Sequence, residues 1–115
     1  MDEKIRDATF IERLMLRLGM RKGFAVEGNS MRPVLREGEA VLIQKGSTLR
    51  VGEVVIACHP YKQSVRIIKR ITKIHDPDRY ELLGDDPGES TDSRTFGPIE
   101  GAMILGKVVA RLPRQ

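Results

Sequence analysis

There is no tryptophan in this chain, only 4% of its residues are aromatic, and one cysteine, Cys58, stands among its 115 residues. A single cysteine excludes an intrachain disulfide. With two histidines beside it, the ligands for a usual structural zinc centre are lacking too. So few rings give no aromatic stacking platform for single-stranded nucleic acid. No uncharged stretch approaches the about 20 apolar residues of a membrane span. Glu12, Arg13 and Arg17 interrupt the N-terminal apolar residues, so no secretory leader pattern is visible. The net charge of +4 is spread along the chain without a basic block, which describes a solvated surface rather than a nucleic-acid interface. Repeats, low-complexity tracts and interdomain linkers are also absent. The expectation is one cytoplasmic domain, with no nucleic-acid partner, metal or cofactor and no stable membrane insertion.

What remains is ordinary globular material, 40% apolar and 31% charged. Thr9-Phe10-Ile11-Glu12 reads as a capping box. Ile11, Leu14, Met15 and Leu18 follow at helical spacing, and Gly19 and Gly23 bracket the stop. Arg6, Arg13, Arg17, Arg21 and Lys22 make this helix cationic. Such a helix can lie on a membrane surface. The expectation here is that its apolar stripe caps the main core, as most such stripes do.

From Phe24 the pattern turns to short runs rich in branched or aromatic residues: 24–27, 40–44, 54–59, 64–73, 80–83 and 103–112. Proline and glycine punctuate them. This spacing predicts a mainly β fold, a small coiled antiparallel domain over 24–115, preceded by the amphipathic helix in 1–23.

Three blocks carry candidate chemistry. The first is Gly28-Asn29-Ser30-Met31-Arg32-Pro33-Val34-Leu35. A serine hydroxyl needs a base before it attacks an amide, and no histidine stands near Ser30 in the sequence. The second is Val65-Arg66-Ile67-Ile68-Lys69-Arg70-Ile71. Strand alternation puts Val65, Ile67, Lys69 and Ile71 on one face, so Lys69 interrupts an apolar stripe, while Arg70 lies on a more polar face. Burial disfavours an ammonium, and a neutral lysine accepts a proton. A snorkelling strand-end lysine is the plainer reading of this strand alone, and a turn residue is the plainer reading of Ser30. The third block, residues 84–94, carries acidic residues but misses the spacing of a calcium loop.

In order, these blocks resemble the type I signal peptidase family. Ser30-Met31-Arg32-Pro33, Lys69-Arg70, Gly84-Asp85-Asp86 and Ser90-Thr91-Asp92-Ser93-Arg94 match its elements, as do Gly38-Glu39-Ala40-Val41 and Gly52-Glu53-Val54-Val55 with Glu for Asp. The resemblance implies Ser30 as nucleophile and Lys69 as general base, with Ser90 orienting the amine and Asp92 and Arg94 paired beneath the site. It implies an oxyanion hole that includes the Ser30 N–H. Gly28 stands where some members carry a second hydroxyl donor, Val34 replaces a common threonine and Asp86 a usual asparagine. Phe24, Val26, Gly28, Met31, Pro33, Ile67 and Ile68 are the expected substrate contacts, because strands leading to Ser30 and Lys69 would wall a groove for an extended peptide.

Within that family the lack of an anchor, the compact length and the segments 92–99 and 105–112 are most similar to the nickel-type superoxide dismutase maturation protease. This implies a precursor of that dismutase as protein partner, trimmed at its N-terminus. Three rivals share the fold: a self-cleaving repressor, the catalytic domain of a membrane-associated signal peptidase, and a non-catalytic β module. A Cys58 nucleophile is a fourth, disfavoured because His59, its sequence neighbour, points to the opposite strand face.

Overall fold

The architecture follows from where the apolar residues fall on seven strands. A computed structural model describes residues 5–46, 48–62, 64–86, 88 and 93–113, with only the backbone for Ser93 and Thr95. A helix, α1 (Phe10–Arg17), precedes strands β1 (Lys22–Ala25), β2 (Ala40–Gln44), β3 (Val54–Cys58), β4 (Arg66–His75) and β5 (Arg79–Leu83). A one-turn helix, α2 (Ser93–Phe96), strand β6 (Ile99–Glu100), a 3-10 turn (Gly101–Met103) and strand β7 (Ile104–Leu112) complete the chain.

All seven strands join one antiparallel sheet in the order β1-β2-β7-β3-β4-β5-β6. The mainly β, antiparallel expectation therefore holds. The last strand lies in the middle: β7 pairs with β2 on one side and β3 on the other. It approaches β2 so closely that a Cβ on Gly106 would stand 2.9 Å from the Gln44 carbonyl oxygen. Central β3 is apolar on both faces. Val54 and Ile56 join one core with Val26, Met31, Val34, Leu35, Val41 and Ile43. Val55 and Ala57 join a second core with Ile71, Leu82 and Ile99. Period-two alternation thus packs both sides of this strand.

The capping box is present in full. Glu12 N–H donates to Thr9 Oγ1 at 3.2 Å, and Thr9 N–H donates to the Glu12 carboxylate at 3.0 Å. The expected packing of the apolar stripe is corrected, however: α1 has no buried residue. Phe10, Ile11, Leu14 and Leu18 are exposed, and Leu16 faces inward against Gly23. Periodicity says which residues share a face, not which way that face points. Here the segment before the helix fixes its orientation. Ala8 N–H donates to Arg111 O at 2.7 Å, Arg111 N–H donates to Arg6 O at 2.8 Å, and Ile5 packs against the first core. β1 begins at Lys22, so it straddles the boundary at 23 and 24 drawn from the sequence.

Candidate active site

Ser30 sits in a turn between β1 and β2 whose shape is set from below. Met31 (2% exposed), Val34 (7%) and Leu35 (0%) drop into the first core directly after it. Gly28 takes φ +75°, a left-handed conformation that costs glycine little, and its N–H donates to Glu37 Oε2 at 2.8 Å. Val26 closes the base of the loop by donating to Glu39 O at 2.8 Å and accepting from Gly38 N–H at 3.2 Å. The Arg32–Pro33 peptide is cis. Ser30 itself is left half-buried at the surface of this plug.

Lys69 comes from β4, opposite Val55 of β3. It is only 4% exposed. Its neighbour Arg70 is also buried, which alternation alone did not foresee. The Arg70 guanidinium grips Asp85 through two bonds, Nε to Oδ1 at 2.9 Å and Nη2 to Oδ2 at 2.8 Å, and donates to Gly52 O at 2.6 Å. Such a fork-on-carboxylate pair fixes direction as well as charge. Asp85 and Asp86 follow β5 after Gly84, and Asp86 reaches the nucleophile candidate. Its N–H donates to Ser30 O at 2.7 Å, while its carboxylate accepts from Arg32 Nη2 at 3.3 Å. Asp85 and Asp86 thus tie the lysine strand and the serine turn to one short stretch.

The candidate nucleophile and the candidate base border the same space. A cavity of about 460 Å³ is lined by both Ser30 and Lys69. Of the expected substrate contacts, Phe24, Val26, Gly28, Met31, Ile67 and Ile68 line it. Pro33 does not: it is exposed and outside the lining. Ser64 and Ile56 also line the cavity and were not anticipated. A second hollow of about 290 Å³ shares Ser30 and Lys69 and adds Glu27, Asn29, His59 and Lys62. The pair therefore stands where the two hollows meet.

The cavity walls are strand edges. β1 is the terminal strand of the sheet. β5 pairs with β4 only from Arg70 onward, so among the described residues the 66–69 stretch has β3 as its sole strand neighbour. Ser90 and Asp92 lie outside the described residues. Arg94 is in α2 and exposed. Cys58 is half-buried at the end of β3. His59 Nδ1 accepts from the N–H groups of Tyr61 and Lys62, at 3.1 and 3.2 Å, which ties that imidazole to its own turn.

Among the described residues no helix is long and apolar enough to cross a membrane.

The chain is similar to known proteins. The profile of the Peptidase S24-like family matches residues 2–109. Mitochondrial inner membrane protease subunit 1 of Schizosaccharomyces pombe is 32% identical over 108 residues, covering 74% of this chain and 69% of the relative. The same subunit of Xenopus tropicalis is 29% identical over 108 residues, covering 74% and 65%. Subunit 2 of Schizosaccharomyces pombe is 27% identical over 127 residues, covering 90% and 68%. The chain thus spans between 65% and 69% of the length of these relatives.

Proposed function

The chain belongs to the Peptidase S24-like family, and on that premise we propose that it is a serine endopeptidase with Ser30 as nucleophile and Lys69 as general base. The observation that carries this reading is that Ser30 and a lysine only 4% exposed line one cavity although they come from different parts of the sheet. Burial disfavours the ammonium and so favours a neutral amine able to take a proton.

In the first step Ser30 Oγ forms a bond to the scissile carbonyl carbon as its proton passes to Lys69 Nζ. Charge collects on the carbonyl oxygen, and the Ser30 N–H is the donor offered to it. The C–N bond then breaks, and the lysine returns the proton to the leaving amine. Water, deprotonated by the same lysine, releases the acyl group and restores Ser30. Arg70 and Asp85 position the lysine strand, and Asp86 positions the serine turn. An extended substrate would add a strand between the edges at 24–28 and 65–68.

The proposed activity is removal of an N-terminal segment from a protein precursor. The relatives are named as inner membrane protease subunits, which supports precursors presented at a membrane face. The narrower client, the nickel-type superoxide dismutase precursor, rests on resemblance, in compact length, the lack of an anchor segment and segments 92–99 and 105–112. Incubating each class of precursor with the full chain and reading intact masses separates the two. Ser30→Ala and Lys69→Ala should each lower cleavage about a thousandfold or more, with the double variant little worse, because residues acting as a unit are not additive. Lys69→Arg should fail as well, since arginine keeps its proton. Full activity in Ser30→Ala would end this reading. Proline just before the scissile bond should block cleavage by removing a backbone donor.

A further inference from the structure

Among the described residues, most of the apolar stripe of α1 is left uncovered. At about 100° per residue, Phe10, Leu14, Leu18, Ile11 and Met15 fill one continuous arc of about 140°. Phe10 is 80% exposed, Ile11 66%, Leu14 44% and Leu18 64%, and Met20 beyond the helix is 63% exposed. Phe10 and Leu14 also border a hollow of about 380 Å³ between the helix and Leu112 at the end of β7, with Arg13 and Arg17 on its rim.

The charge beside this stripe has one sign. The single acid of α1, Glu12, is engaged by Arg6 through bonds of 2.6 and 2.8 Å and by Thr9 N–H. Asp7, just before the helix, is taken up by Arg111 at 2.8 Å. Arg13 and Arg17 are exposed. Past the helix, Arg21, Lys22 and Lys45 gather with Met20 around another hollow of about 350 Å³. A hydrogen bond to Lys22 and its charge push the Lys45 ammonium pKa down. Arg21 Nε is buried and has no hydrogen-bond partner among the described residues. Cations crowded in this way are relieved by an anion.

We propose that this face docks the protein on an anionic lipid bilayer, with the α1 stripe and Met20 entering the interface and the flanking cations meeting phosphate headgroups. The occupant follows from the charge: an apolar band edged by cations matches a surface whose apolar interior is edged by anions. A second copy of this chain would bring the same cations against each other. Docking needs neither Ser30 nor Lys69, so it stands or falls apart from the peptidase reading.

The test is sedimentation of the purified full chain with vesicles of phosphatidylcholine alone or of phosphatidylcholine mixed with phosphatidylglycerol. The chain should pellet with the mixed vesicles and remain above the neutral ones, and added salt should release it. Arg13→Gln with Arg17→Gln should weaken binding roughly thirtyfold, from about 1 kcal/mol per cation near such a surface. Leu14→Ser with Leu18→Ser should weaken it at least about tenfold. Ser30→Ala should bind as the parent does. Circular dichroism of each variant checks that the sheet is intact, and a single-cation variant, Arg17→Gln, gives a smaller loss if the double one unfolds. Failure to bind the mixed vesicles would overturn the proposal, as would equal binding to both kinds. Concentration-dependent dimers abolished by Leu14→Ser would overturn it in favour of self-association.

Discussion

The Ser30 turn and helix α1 both attach at the β1–β2 end of the sheet, but the turn drives Met31, Val34 and Leu35 into the core while no residue of α1 is fully buried. The turn is held along its length. Its side chains fill the first core, and Asp86 N–H pins the Ser30 carbonyl from the far side. The helix is held mainly at its ends, by backbone bonds from Ala8 and Arg111 before it and by β1 pairing after it. The proposed role of Ser30 requires a fixed position, and close packing provides it. A face meant for another surface must stay uncommitted, and end-tethering leaves it so.

The sharpest way to break this comparison is at the pinned side. Asp85→Ala strips Arg70 of its carboxylate in a pair whose side chains are only 10% and 5% exposed. Breaking a buried pair from one side costs about 3–5 kcal/mol. Urea unfolding should show that loss, and peptidase activity should fall with it. A loss below about 1 kcal/mol would mean the pair behaves like one on the surface. Next, Leu35→Ala should cost about 2–5 kcal/mol, as for a leucine cut from a closed core. It should also lower turnover by loosening the serine turn, measurable with a peptide substrate at saturation.

The helix side responds to acid. The hydrogen bond from Arg6, with help from Thr9 N–H, lowers the Glu12 pKa to about 2. A carboxylate depressed in the folded state stabilises fully above its ordinary pKa and loses that contribution as pH falls toward its folded value. The contribution should therefore fade between the ordinary carboxylate range and pH of about 2, and Glu12→Gln should flatten this part of the thermal-melting profile. The smallest effect is the most telling. Leu14→Ser should change stability by no more than about 0.5 kcal/mol, as for a surface position. A large loss would show that the stripe is packed after all.

Much of the fold could be read in advance because it rests on local pattern. Ala40–Gln44 falls where branched residues cluster, and β3 ends one residue short of the expected run at 54–59. β4 is displaced by two residues toward the C-terminus. Strand β6 and helix α2 are too short for any period to declare them. The sheet order could not be read, since no local signal says that β7 enters between β2 and β3. The pairing of Ser30 with Lys69 in one cavity came from motif order. The Arg70–Asp85 grip did not, because alternation marks polar residues as outward and is blind to a charge buried with its counter-charge. The outward turn of α1 escaped for the related reason that amphipathicity has no sign.

The position of β7 also sets a timetable. Ser30 belongs to the β1–β2 half of the sheet and Lys69 to the β3–β4–β5 half, and the strand between these halves comes after the other six in chain order. A nascent chain carries Ser30 and Lys69, and the Asp86 contact between their segments, before the strand that joins the two halves of the sheet is present. The two halves of the sheet should therefore join into one only after Ile104–Leu112 has left the ribosome.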